Sequence, residues 1–271
     1  MQHWIEQSLS IIKPYTTKVE FDGINTRIRD EKELVFSQGV SELAVSRYFV
    51  ENYPNGLLLP RGTKSKKDID VSFISEGKRI NIEVKTPNLS YEGSNEFTAE
   101  MLYKFPSSEE RKRVICNVES GMGQSVNVAP NRISNAEKFI NECANKFAES
   151  AEAGDVNIVI FSMLEPNGMD DYRIKVIEGL LKGYNSIHAV ILSDVAMRHQ
   201  RHQLNDNYGF ENCFNYVMKN INSQSSITSE QLESALTCIP HNTGEANAWL
   251  ARQNNQILPR LKWLKIYKEN N

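Results

Sequence analysis

Long apolar runs are missing from this sequence. Nothing in its 271 residues approaches the roughly 18 consecutive apolar side chains of a membrane span, so no membrane partner is expected. Cysteine is scarce and scattered. Cys116, Cys143, Cys213 and Cys238 form no C-x-x-C pair, which argues against a zinc ribbon or a disulfide scaffold and suits a reducing compartment. Neither charge dominates: 31 basic against 34 acidic residues give a net charge of −3. A strongly basic coat is thereby excluded, though a local basic patch is not. Met1-Gln2-His3-Trp4 brings no basic flank and no apolar run, so no secretory leader is expected. Internal repeats and low-complexity tracts do not stand out. What remains is ordinary: 40 % apolar and 24 % charged residues describe a globular chain with enough length for a large core. The expectation is a soluble, cytoplasmic protein.

The pattern of apolar residues gives an alternating order of elements. Residues 33–52 read as a helix stopped by the turn cluster Tyr53-Pro54-Asn55-Gly56. Leu57-Leu58-Leu59 reads as a short buried strand. Ile69, Val71 and Phe73 alternate with polar neighbours, as do Ile80, Ile82 and Val84, and period two is the mark of a strand. Ser75-Glu76-Gly77-Lys78 between them fits a tight hairpin. A polar stretch from Pro87 to about residue 133 carries no clear pattern. Further on, a helix at 134–151, a strand at Val156–Phe161, a helix near 172–183 and a strand at Ala189–Leu192 are expected. This alternation implies an α/β fold, a mixed sheet covered by helices. The Asn- and Ser-rich segment 220–229 reads as a linker. It divides an α/β domain (1–219, core 33–193) from a small C-terminal extension (220–271).

The hairpin carries the chemistry. With Glu76 and Gly77 at the centre of the turn, paired positions sum to 153, which sets Asp70 opposite Glu83, both turned from the apolar face of Ile69, Val71, Ile80, Ile82 and Val84. Directly opposed side chains have Cβ atoms about 4.5–5.5 Å apart, so two carboxylates there repel unless a positive charge bridges them. A hard cation such as Mg²⁺ suits that position, because it takes oxygen ligands. Lys85 leaves the strand on the same face as Glu83. On the helix, Gln38 and Glu42 lie one turn apart on the stripe that includes Val35, Val45 and Phe49. A carboxylate there is costly unless paired or metal-associated, so Glu42 is expected at the edge of the same site with Gln38 supporting it. The plainer reading is a solvated charged face on a half-exposed hairpin.

Asp70, followed after twelve residues by Glu83-Val84-Lys85, with Glu42 on the preceding helix, resembles the PD-(D/E)xK nuclease superfamily of restriction-endonuclease-like fold. Ile69 stands where that family often has proline. A second match to the tripeptide, Glu76-Gly77-Lys78, falls in the turn. The resemblance covers about half the chain. It implies a metal-dependent endonuclease acting on DNA in restriction, phage defence or repair, with Mg²⁺ as cofactor and Mn²⁺ able to substitute. It implies metal binding by Asp70, Glu83 and the carbonyl of Val84, an outer or second-metal role for Glu42, and a Lys85 that orients or polarises the attacking water. The alternative is a catalytically silent nuclease-like module that binds nucleic acid or serves as a scaffold.

Other motifs carry less. Arg61, Lys64, Lys66 and Lys67 lead into the Asp70 strand and are expected to contact phosphates. Arg111-Lys112-Arg113 reads as a surface charge run. His199 and His202 have no third ligand in view. Gly121-Met122-Gly123-Gln124-Ser125 lacks the Gly-Lys-Ser/Thr ending of a phosphate loop. Trp249 and Trp263 are expected to dock the tail on the core or on a partner chain, leaving room for a homo-oligomer.

Overall fold

Helices α1 (Gln2–Ile12), α2 (Lys18–Ile28) and α3 (Glu33–Asn52) open the chain. Thr17 starts α2 with a capping box: its hydroxyl accepts from the Glu20 amide while the Glu20 carboxylate accepts from Thr17 N–H. The structure is a computed structural model that describes residues 1–55, 57, 69–87, 108–122, 130–163, 171–200, 208–223 and 227–240. Helix α3 keeps the expected bounds but is buried on two sides rather than along one stripe. Ala44, Val45 and Phe49 face the sheet, whereas Leu43 and Val50 pack with Ile12 and Ile24 under α1 and α2. Gly39 permits this close approach: a Cβ there would meet the backbone nitrogen of Ile28 at 2.9 Å.

β1 (Val71–Ser75) and β2 (Lys78–Lys85) form the expected hairpin. Glu76 and Gly77 take φ of 48° and 73°, the positive pair that a two-residue turn matching strand twist requires. Val71 pairs with Ile82 and Ser75 with Lys78, with every pair between them in the same register. Leu57 bridges to Phe73; the rest of the expected strand at 57–59 lies outside the described residues. β3 (Val156–Ser162), β4 (Ala189–Ser193) and β5 (Asn215–Lys219) complete a sheet ordered β1-β2-β3-β4-β5. β2, β3 and β4 run parallel, and the two edge strands run antiparallel to their neighbours. The chain is therefore α/β, a mixed five-stranded sheet flanked by helices.

Helices α4 (Ser108–Met122) and α5 (Pro130–Ser150) connect β2 to β3, and α6 (Asp171–Leu181) connects β3 to β4. Short α7 (Val195–Gln200) follows β4, and α8 (Ser229–Thr237) follows β5. Two cores sandwich the sheet. On one face Ile140, Cys143 and Phe147 of α5 and Ile177 and Leu180 of α6 meet Val159, Phe161 and Val190. On the other, α3 and α8 meet Val71, Ile82, Val84 and Ile160. The hairpin is thus no half-exposed ribbon, because α5 covers the face carrying Glu83. Ile69, expected beside Val71, belongs to the opposite core, since the chain bends at Asp70 before β1 begins.

Asn220, at the start of the segment read as a linker, is buried. Its side-chain amide lies within 3.0 Å of the carbonyls of Leu181, Tyr184 and Ile187, to which it donates. Leu232, Ala235 and Leu236 of α8 belong to the core on the α3 face. Among the described residues no helix is long and apolar enough to cross a membrane.

Candidate functional site

The site forms just before β1 begins, beside the last residues of β2. In a strand the N–H and C=O of one residue point to the same side, so Val84 loses its ladder partner once the chain bends at Asp70. Side chains take over. Val84 N–H donates to Asp70 Oδ2 at 2.8 Å, and Val84 O accepts from Gln38 Nε2 at 2.9 Å. Thr86 N–H donates to Gln38 Oε1 at 2.7 Å. In return Asp70 N–H donates to Glu83 Oε1 at 3.1 Å. The register that opposes Asp70 to Glu83 is thereby fixed by bonds through both side chains.

The charges are gathered around that pair. Lys85 Nζ lies 3.2 Å from Glu83 Oε2. Lys146 of α5 reaches in from the other side, its Nζ 2.6 Å from Glu83 Oε1 and 3.6 Å from Asp70 Oδ1. Behind them Glu42 accepts from Gln38 Nε2 at 2.6 Å and pairs with Arg27 of α2. Glu42, Asp70 and Glu83 thus stand against Arg27, Lys85 and Lys146, and the formal charges of this set cancel.

Burial sets the protonation behaviour. Glu83 is 0 % exposed; desolvation first, and the Asp70 charge second, push its carboxyl up to about 7 against the pull of Lys85 and Lys146. Desolvation and Asp70 likewise push Glu42 up to about 7. Burial acts on Asp70 in the same sense but is outweighed, chiefly by Lys146 and then Lys85, so that Asp70 is held below the usual carboxylate range. Burial pulls both lysines down, yet Asp70 and Glu83 outweigh it and keep Lys85 and Lys146 raised. Cys143, one turn from Lys146, is pushed upward by burial and then by Glu83, which makes it a poor nucleophile.

The oxygen donors match a hard cation in kind: Asp70, Glu83 and the Val84 carbonyl, whose second lone pair is left over by Gln38. Glu83 Oε2 is a buried oxygen that makes no hydrogen bond, its contact being the ion pair with Lys85. Among the described residues no three His, Cys, Asp or Glu side chains converge as a ready cage for a metal ion. Glu42 is engaged by Arg27 and Gln38, as Asp70 and Glu83 are by Lys85 and Lys146.

Of the expected site residues, the structure brings Asp70, Glu83, Val84, Lys85, Gln38 and Glu42 together. Arg61, Lys64, Lys66 and Lys67 lie outside the described residues, as do His202, Trp249 and Trp263. Lys112 and Arg113 are exposed on α4, and Gly121 sits near its end. His199 is buried between Trp4 and Tyr208, with ring centroids 4.8 and 5.2 Å away, as a core aromatic would be. Two charged residues were missed, Lys146 and Arg27. Lys146 was legible as a lysine on the buried stripe of Ile140, Cys143 and Phe147; Arg27 had no such signal. No family model, curated protein or solved structure matches the chain.

Proposed function

We propose that the chain is a divalent-metal-dependent endonuclease of restriction-endonuclease-like fold, a member of the PD-(D/E)xK superfamily that hydrolyses phosphodiester bonds in DNA. The observation that carries this reading is the pairing of Asp70 with Glu83 across the hairpin end, with Lys85 on the same face and the Val84 carbonyl beside them. A hard cation such as Mg²⁺, or Mn²⁺ in its place, would be held by Asp70, Glu83 and Val84 O, and when bound it supplies Lewis-acid charge to a phosphate and to water. Lys85 offers an ammonium next to that position, suited to steadying charge that develops on a phosphoryl oxygen. Gln38 holds the end of β2 in place, and Glu42 behind it would take an outer or second-metal role. The nucleic-acid contacts expected of Arg61, Lys64, Lys66 and Lys67 remain part of the proposal, as do a role in restriction, phage defence or repair and a cytoplasmic location.

One observation favours a second reading, a silent nucleic-acid-binding or scaffold module. The acids already have cationic partners in Arg27, Lys85 and Lys146, so they need no metal to be stable. The test is purified protein incubated with plasmid, linear duplex, single-stranded DNA and RNA, in Mg²⁺, Mn²⁺ or EDTA. Metal-dependent cleavage of DNA supports the enzyme. No cleavage of any substrate, together with a Tm indifferent to Mn²⁺, supports the scaffold.

A further inference from the structure

A bridging cation between Asp70 and Glu83 would need to touch both carboxylates from outside the hairpin, and one group already does so. Lys85 shares a strand with Glu83 and makes its close ion pair with Oε2 of that residue, while Asp70 feels its charge from farther away. Lys146 comes from α5 and lies within 4 Å of both acids, at 2.6 Å from Glu83 and 3.6 Å from Asp70. Its side chain is 14 % exposed, with a four-carbon stem along the apolar stripe of α5 and a head group at the site. We propose that Lys146 is the built-in counter-cation of the carboxylate pair, and that a divalent ion enters only by displacing its ammonium. The inference rests on the metal-binding reading above and adds to it a positioning residue that sets the affinity.

The electrostatics give the direction. Against three carboxylates, Arg27, Lys85 and Lys146 leave no net negative charge to attract a cation. An ammonium touching both ligands adds direct like-charge repulsion in a part-buried setting, where screening is weak. Without metal the same ammonium keeps two buried carboxylates from repelling each other. Removing its charge therefore has opposite effects on the two states: it destabilises the metal-free protein and strengthens metal binding. A merely structural lysine would produce the first effect without the second.

The experiment is calorimetric titration of the full chain with Mn²⁺ and with Ca²⁺, comparing wild type with Lys146→Met. The expected result is a lower Tm for the variant without metal, a larger rise in Tm with it, and affinity tighter by about tenfold or more, the scale of one unit charge at short range. Unchanged or weaker affinity in a variant of a wild type that does bind metal overturns the inference and leaves the metal reading standing. If neither protein binds a divalent ion, the metal reading falls and this inference with it. Should Lys146→Met not fold, Lys146→Gln keeps a hydrogen-bond donor and takes its place. The wild type supplies an independent measurement. Amine-reactive labelling read by mass spectrometry should rise severalfold at Lys146 on adding Mg²⁺, relative to exposed Lys18. Unchanged labelling at metal concentrations that saturate the calorimetric signal would also overturn displacement.

Discussion

Gln38 stands in for a missing β-strand at Val84. Its amide gives a donor to the Val84 carbonyl at 2.9 Å and an acceptor to the next inward-facing N–H at Thr86, 2.7 Å away. A helix side chain thus continues the ladder that β1 abandons at Asp70, and it does so beside the proposed metal ligands.

Removing that amide should be expensive. Gln38→Leu keeps the approximate volume but leaves Val84 O and Thr86 N–H unpaired and takes a donor from Glu42. Each unsatisfied buried group costs about 1–3 kcal/mol, so for the two a loss of about 2–6 kcal/mol in urea unfolding is expected. A variant within 0.5 kcal/mol of wild type, roughly the scale of neutral surface changes, would mean that water or a shifted strand takes over the ladder.

The approach of α2 to α3 is equally specific. Gly39→Ala would place a methyl carbon 2.9 Å from both Arg27 Cβ and the backbone nitrogen of Ile28. Backbone cannot step aside as a flexible side chain can, so α2 must move and Arg27 must leave Glu42. Overpacking of this kind costs about 1–3 kcal/mol. Denaturant unfolding should show it, whereas Gly121→Ala, with nothing within 4 Å of the added carbon, should be near neutral.

Much of this was readable from the sequence because the determining information was local. Two residues, Glu76 and Gly77, fix the turn, and the turn fixes the register of every pair in β1 and β2. Asp70 opposite Glu83 follows from arithmetic once the turn is known. Glu42 was legible as an acid on an apolar stripe. The parallel partner of β2 was not, since β3 begins at Val156, far along the chain. Lacking that partner, the face of Asn81 and Glu83 read as half-exposed when α5 in fact covers it. Arg27 shows the limit most clearly. Nothing in the α2 sequence marks it, and it reaches Glu42 only because Gly39 lets two helices touch. Strand β5, Asn-Tyr-Val-Met-Lys on the sheet edge, carries neither an apolar run nor a clean alternation, so nothing separated it from its surroundings.

Buried histidines should make stability fall in acid. Desolvation holds His188 and His199 at about 4, below the ordinary 6.5. Above pH 6.5 neither state is charged at these positions. As pH falls from 6.5 towards 4 the unfolded chain takes up protons that the folded chain refuses, so stability drops. Each shift is worth roughly 3 kcal/mol once complete. Glu42 and Glu83, pushed up to about 7, act oppositely: their contribution favours the fold below pH 4.5 and is lost as pH rises through 7. The difference between proteins is therefore the test. His199→Phe, which fits between Trp4 and Tyr208, should flatten the fall between pH 6.5 and 4 in urea unfolding. A profile parallel to wild type would show that His199 titrates normally.

Lys85 divides the enzyme from the scaffold. Its Nζ lies 3.2 Å from Glu83 Oε2, whereas Lys146 takes the place between the two carboxylates, so the two lysines are not interchangeable. Lys85→Met keeps the stem's packing and removes the charge. In the proposed enzyme Asp70, Glu83 and Val84 O remain, so divalent-ion and DNA binding should survive. Single-turnover cleavage in Mn²⁺ should fall by about two to three orders of magnitude, the usual cost of one lost transition-state donor. A scaffold would show no cleavage before or after the change, and its loss of stability would be that of leaving the buried Glu83 with Lys146 as its cation. Cleavage at the wild-type rate in the Met variant would exclude Lys85 as the assisting group. Lys146, in contact with both acids, would then be the next residue to replace.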